Sequence, residues 1–226
     1  IDIKDMDSLE SAIEWTFDLV EKTGCRSIKQ LQAYYRPINI EEYSYEDAKN
    51  SLEIIIKARD GGLKADKHVK YAYQDYVMKR ILQEADKRNL PYQFHTGMTN
   101  LKNSDPGLLE SAAKKYKNVK FVLLHTYPFI SRACYMARTI SNVYLDTSWQ
   151  ALQSEGVLNK ALTEWIGMVP FYKITSSIDA TNLEEYYGGQ VVSKRVLGNV
   201  LEEKINSNEI SFISAMKIAT ALLYEN

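Results

Sequence analysis

Two stretches of this chain run apolar for a few residues and then stop on a histidine and a threonine, Leu90-Pro-Tyr-Gln-Phe-His-Thr-Gly97 and Val119-Lys-Phe-Val-Leu-Leu-His-Thr126. An acidic counterpart, Lys173-Ile-Thr-Ser-Ser-Ile-Asp-Ala180, carries an aspartate at its end. Short apolar runs fit strands buried on both faces, and a polar, metal-capable side chain at the end of each gathers chemistry at one rim of a parallel sheet. His95, His125 and Asp179 are therefore the candidate site residues.

Between these runs the spacing predicts helices. Leu9, Ile13, Phe17 and Val20 keep helical spacing behind an acidic cap at Asp7-Ser8-Leu9-Glu10, and Gly24 stops them. Residues from Arg26 to Tyr35 suit a barrel strand closed by Arg36-Pro37. Ser44 then caps a helix with Leu52, Ile55 and Ile56 that ends at Gly61-Gly62, and a longer helix follows with Tyr73, Val77, Ile81 and Ala85 on one face. That is one helix more than a βα unit requires. The extra helical hairpin, about residues 38–67, would leave from the carboxyl end of a strand and is expected as a lid over the site.

Farther on, Asp105-Pro106 opens a helix with Leu109, Ala113 and Tyr116 on its buried face, and Ile130 to Ile140 reads as another. Asn142-Val-Tyr-Leu-Asp146 is a strand, followed by a helix through Leu158, Leu162 and Trp165 that Val169-Pro170 breaks. Gly188-Gly189 is expected to interrupt the C-terminal helices, one through Val196 and Val200, one through Phe212, Met216 and Leu223. The pattern gives five strands, each followed by helix, in a single domain over residues 1–226.

Such alternation argues for an α/β fold with a parallel sheet covered by helices. Polar residues at several strand ends favour a barrel over an open doubly wound sheet, which usually shows a glycine-rich phosphate loop; neither G-x-G-x-x-G nor G-x-x-x-x-G-K-[ST] occurs. A complete (β/α)₈ barrel needs eight strands and roughly 250 residues, so a chain of 226 residues with five strands is expected to be a partial barrel.

With 28 basic and 29 acidic residues, net charge −1 and a pI near 6.4, the chain has no electrostatic footprint for nucleic acid or an anionic membrane. No apolar run approaches the length of a membrane span. A small-molecule substrate is the expected partner, a homo-oligomer is left open, and the expected location is cytoplasmic. Cys25 and Cys134 lack metal-type spacing and read as small core residues rather than a disulfide or zinc ribbon. The opening Ile1-Asp2-Ile3, without methionine or signal pattern, suits a fragment or cleaved chain.

Taken together, Gln93-Phe-His-Thr-Gly97, Phe121-Val-Leu-Leu-His125-Thr-Tyr-Pro, Asn142-Val-Tyr-Leu-Asp-Thr-Ser148 and Ser177-Ile-Asp179-Ala resemble the second half of an amidohydrolase-superfamily enzyme of the amidohydrolase-2 type. The resemblance runs from about Ser27 to a closing helix at Ala215-Met-Lys-Ile-Ala219 and Leu223-Tyr224. It implies a metal-dependent TIM (β/α)₈ barrel of which strands four to eight are present. His95 then matches the fifth-strand histidine, His125 the sixth and Asp179 the eighth-strand aspartate. The family's first-strand H-x-H pair has no counterpart, because the third histidine, His68, stands alone in a helical region and reads as surface.

The resemblance implies a divalent metal, zinc being the expected one, held in part by His95 and Asp179. Asp179 would also take the proton of the attacking water, and His125 would orient that water or polarise the scissile carbonyl. Hydrolysis of an amide, ester or lactone is the implied reaction. Decarboxylation, sugar-acid isomerisation, and a catalytically silent partial barrel used for binding or assembly are the alternatives. Plainer readings make His95 a buried histidine satisfied by a carbonyl, and Asp179 a cap for a helix near Asn182. Lys29, near the place of a carbamylated lysine in two-metal members, lies early in its strand and reads as solvated or snorkelling. Arg36, Tyr127 and Trp149 each follow a strand and are candidate substrate-binding residues.

Overall fold

The computed structural model describes residues 2–41 and 43–226, so Ile1 at the opening and Glu42 within the expected lid lie outside the described residues. Five strands, β1 (Ile28–Gln30), β2 (Pro91–Thr96), β3 (Lys120–His125), β4 (Val143–Asp146) and β5 (Ile174–Thr175), form one sheet in the order β1-β2-β3-β4-β5, every neighbouring pair parallel. Spatial order equal to chain order means the chain winds one way throughout, as in a barrel; a doubly wound sheet would reverse. The fold is a TIM-barrel-like arc of five strands. In register, Lys29 lies opposite Gln93, Thr96 opposite His125, and Asp146 opposite Thr175.

The helices are α1 (Met6–Lys22), α2 (Tyr45–Asp60), α3 (Val69–Arg88), α4 (Leu101–Ser104), α5 (Glu110–Lys115), α6 (Ile130–Thr139), α7 (Gln150–Gln153), α8 (Glu155–Met168), α9 (Leu183–Asn206) and α10 (Phe212–Thr220). Alternate strand residues divide between the two faces of the sheet. Tyr92, Phe94, Phe121, Leu123, Val143, Leu145 and Ile174 are buried in one core with Trp165 of α8 and Val196 and Leu197 of α9, and Phe94 and Phe121 stack with centroids 5.1 Å apart. Burying each such side chain contributes about 2 kcal/mol, which fixes the register. The opposite face, with Gln93, Val122, Leu124, Tyr144, Asp146 and Thr175, lines an open trough of about 820 Å³. In a closed barrel that face is interior.

Asn142 ties the bottom of the sheet together. Its buried amide lies 3.1 Å from the Ala113 carbonyl and 2.9 Å from those of Tyr116 and Val119, holding the end of α5 against the entries to β3 and β4. A second apolar cluster joins Met6, Leu9, Ile13 and Phe17 of α1 to Ala48 and Leu52 of α2, with Tyr73, Val77 and Ile81 of α3 packed against it.

Several local expectations change. The first helix is capped by Asp5, which forms a capping box with Ser8, instead of by Asp7-Ser8. The strand expected over Arg26 to Tyr35 shortens to three residues and gives way to a single 3₁₀ turn at Gln32–Tyr34, because the Gln30 side chain accepts the Gln32 N–H and diverts the backbone from the ladder. Within the expected hairpin at 38–67, the described residues form one helix, α2. Its buried face turns to α1 and to a cluster touching Ile28 and Leu90, at the amino-terminal ends of β1 and β2.

α9 runs unbroken through Gly188 and Gly189. A Cβ at Gly189 would lie 2.5 Å from Cγ2 of Ile178 and 3.2 Å from Cδ2 of Leu152, so glycine here allows close helix packing in place of a break. Cys134 is buried as expected, whereas Cys25 is exposed, its thiol 3.3 Å from the Ser27 carbonyl in the loop before β1. Among the described residues no helix is long and apolar enough to cross a membrane.

Candidate active site at the strand ends

His95 and His125, at the carboxyl ends of β2 and β3, are 1% and 0% exposed, and their rings lie 4.3 Å apart between centroids. Asp179, in the loop after β5, places Oδ2 3.5 Å from Nε2 of His125. The structure thus brings the three strand-end residues to one rim. Trp149 joins them, its ring 5.0 Å from His125 and 6.0 Å from His95, and Tyr34 covers His95 at 4.5 Å.

The hydrogen bonds define what the histidines present. Nδ1 of His125 lies 3.1 Å from the Ser148 carbonyl, and a carbonyl can only accept, so Nδ1 carries the proton and Nε2 offers a lone pair. Ser148 Oγ also lies 3.1 Å from Nδ1. Nε2 of His95 and Nε2 of His125 are both buried without a hydrogen-bond partner among the described residues. The reading of His95 as satisfied by a carbonyl therefore does not account for its Nε2. A lone pair facing a carboxylate at 3.5 Å calls for positive charge between or beside them.

The backbone is strained at these positions. His125 (φ 68°), Thr126 (59°), Trp149 (65°) and Asp179 (57°) all occupy the left-handed region, where each non-glycine residue costs on the order of 1 kcal/mol or more. Tertiary bonds hold them there. Thr126 N–H donates to the Thr96 carbonyl at 3.0 Å, the Gln150 amide to the His125 carbonyl at 2.6 Å, and Trp149 N–H to the Ile178 carbonyl at 3.0 Å. Strain concentrated on residues that meet in one cluster is a mark of a functional site.

Sequence reasoning missed three contributors. Lys29, expected to be solvated or snorkelling, sets Nζ 3.3 Å and 3.4 Å from the two carboxylate oxygens of Asp179. Asp146, buried at the end of β4, accepts from Ser148 N–H (2.7 Å), Ser177 Oγ (2.6 Å) and Thr175 Oγ1 (2.5 Å), and so positions both the Ser148 turn and the chain leading to Asp179. Ser148 fixes the His125 tautomer. Both Asp146 and Ser148 stood inside a strand-end motif, which was the available signal.

Arg36 is not brought to this cluster. Its guanidinium is buried on Asp75 of α3 at 2.8 Å, with its Cζ 4.1 Å from the Tyr71 ring centroid. Tyr127 stands exposed just beyond the two left-handed residues, its carbonyl accepting Met98 N–H at 2.7 Å. His68 is exposed at the start of α3, as expected. The cap of α9 is Asn182, which accepts Glu185 N–H at 2.8 Å, so capping does not explain Asp179.

Burial, the nearby His125 and the Lys29 charge hold the His95 imidazole down to about 4, and burial lowers His125 as well. Burial and Asp179 push the Tyr34 hydroxyl up. Both imidazoles are thus neutral at pH 7, the form that serves as ligand or base. Between pH 6.5 and about 4 the unfolded chain binds a proton at His95 that the folded chain refuses, so stability is greatest above pH 6.5 and falls with acidification. The loss at His95 alone is expected to reach about 3 kcal/mol. Urea denaturation midpoints at pH 7.5, 5.5 and 4.5 measure it, and His95→Gln should flatten the trend.

The donors suit a divalent ion only in part. Two neutral, unpartnered imidazole nitrogens beside a carboxylate are chemically the right set, yet among the described residues no group of three or more His, Cys, Asp or Glu side chains is placed to hold a metal.

The amidohydrolase family model matches residues 47–167, a span that includes both histidines. Protein fluG of Emericella nidulans is 30% identical over 164 residues, which are 67% of this chain and 19% of that protein. A protein from Lactobacillus casei assigned as a metal-dependent hydrolase superposes with a TM-score of 0.72 at 22% identity, over 87% of this chain and 52% of its own. Glucuronate isomerase from Caulobacter crescentus gives 0.71 at 14% identity, over 96% and 49%. Uronate isomerase from Thermotoga maritima gives 0.68 at 16%, over 84% and 46%. The chain thus spans about a fifth of the curated relative and about half of each solved structure. From the match over more than half its length, and from a parallel arc that shares these barrels' fold, the chain belongs to the amidohydrolase family.

Proposed function

We propose that this chain supplies strands four to eight of a metal-dependent hydrolase that cleaves an amide, ester or lactone, the remaining metal donors coming from polypeptide beyond these residues. The convergence of His95, His125 and Asp179, with both Nε2 atoms buried and unpartnered among the described residues, carries this reading. His95 and Asp179 would hold a divalent ion of the zinc class. Such an ion supplies charge to polarise a carbonyl and to lower the pKa of water to about 7. Asp179 would accept the proton of the attacking water and return it to the leaving group. His125, its tautomer fixed by Ser148, would direct Nε2 at the water or, when protonated, at the carbonyl oxygen. Trp149 and Tyr127 would border the substrate.

Isomerisation of a sugar acid is the second reading, favoured by the fold shared with uronate and glucuronate isomerases at TM-scores of 0.68 and 0.71. The same carboxylate would then move a proton between carbons. Metal analysis of a chain that includes the further strands tests both readings: stoichiometric metal, lost on His95→Ala with the fold retained, is expected. Assays on a panel of amides, esters, lactones and uronates then separate hydrolysis from isomerisation. A fully assembled, metal-free and inactive protein would refute both.

A further inference from the structure

Arg36, drawn away from the strand-end cluster, belongs to a separate place in the fold. Gln30 lies opposite Phe94 in register, so its side chain points into the helix layer and away from the trough that Gln93 lines. There Gln30, Tyr35 and Arg36 line one side of a groove of about 330 Å³, and Tyr73, Val77 and Met78 of α3 line the other. Gln30 and Arg36 are 8% and 5% exposed. Oε1 of Gln30 accepts the Gln32 N–H at 2.5 Å, which fixes the orientation of the amide and leaves its Nε2 without a partner among the described residues. The Arg36 guanidinium is engaged at both Nη atoms, Nη2 at 3.0 Å from Asp75 Oδ2 and Nη1 at 3.3 Å from the Tyr71 carbonyl and from Gln74 Oε1. Its Nε is buried and unpartnered too. Buried donors are nearly always paired in native proteins, so two exceptions on side chains lining one groove call for an acceptor.

We propose that this groove is a second binding site, for a small neutral molecule that carries a carbonyl group on a ring. Asp75 already balances the Arg36 charge at 2.8 Å, so a carboxylate ligand would meet both signs. A neutral carbonyl oxygen accepts from Gln30 and Arg36 without adding a charge to a buried place. The ring lies against Tyr73, Val77 and Met78, and the volume, near the lower end for ligand pockets, suits one ring and its carbonyl. Tyr35, 84% exposed, forms the outer wall and turns aside to admit it. His95, His125 and Asp179 do not line the groove, so the site stands apart from the metal reading.

The test is titration with benzamide, followed by nuclear magnetic resonance of the chain labelled at its methionine methyl groups. Met78 lines the groove and Met216 of α10 does not, so the first resonance, assigned with Met78→Leu, reports binding and the second is the control. Benzamide is expected to shift Met78 and leave Met216 in place. Gln30→Glu keeps an oxygen for the Gln32 N–H and removes the free donor, and should weaken binding about tenfold, the worth of one hydrogen bond. Val77→Phe fills the groove from α3 with every donor retained and should abolish the shift, which keeps the test decisive if Gln30→Glu does not fold. Circular dichroism verifies each fold. An unmoved Met78 resonance, unchanged binding in folded Val77→Phe, or benzoate binding more tightly than benzamide overturns the proposal. So does loss of the benzamide shift in a chain that includes the further strands, which would show that polypeptide fills the groove.

Discussion

Under the hydrolytic function proposed above, with Asp179 as general base, Asp179→Asn is expected to lower kcat by about 10³-fold or more in a chain that includes the further strands, since removing a general base costs on the order of 10²–10⁴. The substitution keeps the shape of the side chain. It also keeps the backbone, because Asp179 lies at φ 57° and asparagine is among the few residues that accept the left-handed region readily. What it removes is the charge that accepts a proton and attracts Lys29. Loss of that partly exposed ion pair should alter stability by no more than about 1 kcal/mol. The expected result is therefore a folded protein with nearly unchanged denaturation midpoint and collapsed turnover. Turnover close to wild type would remove Asp179 from the chemistry and leave it a purely electrostatic role.

Gly97→Val should be the most damaging single change to the fold around the site, destabilising by roughly 4 kcal/mol or more. Gly97 follows the His95-Thr96 strand end at φ +66°, and a Cβ added there would lie 2.3 Å from the Tyr127 carbonyl oxygen and 2.7 Å from the Thr126 carbonyl carbon. Both are backbone atoms of the turn after His125, so neither can rotate aside. A branched side chain adds its own penalty at positive φ. The turn has to back away, which breaks the Met98 N–H bond to Tyr127 and separates His125 from His95. Chemical denaturation gives the stability loss, and near-ultraviolet circular dichroism of Trp149 reports the rearranged rim. A midpoint within error of wild type would show that the two turns are not in close contact.

The strand ends were legible because the apolar runs before His95 and His125 and the Ile178-Asp179 pair belong to local sequence, and sheet register did the rest. Lys29 was not legible, since its partner lies 150 residues away and nothing near Lys29 in the chain indicates it. Arg36 follows β1 closely enough to suggest a pocket residue, but Asp75 on the next helix draws it inward, a choice only the tertiary structure makes. Gly188-Gly189 looked like a break because glycine costs a helix about 1 kcal/mol. Packing of α9 onto Ile178 outweighs that cost, and in doing so sets the residue that precedes Asp179. Cys25 was read as core from its residue type, while its loop position before β1 leaves it in solvent.

The outermost strands are short, three residues in β1 and two in β5. Unpaired strand margins are ordinarily where chains stack on one another into fibrils, and stubby ones give such stacking little to template on. An arc bounded in this way resists indiscriminate polymerisation even though both of its margins are strand edges.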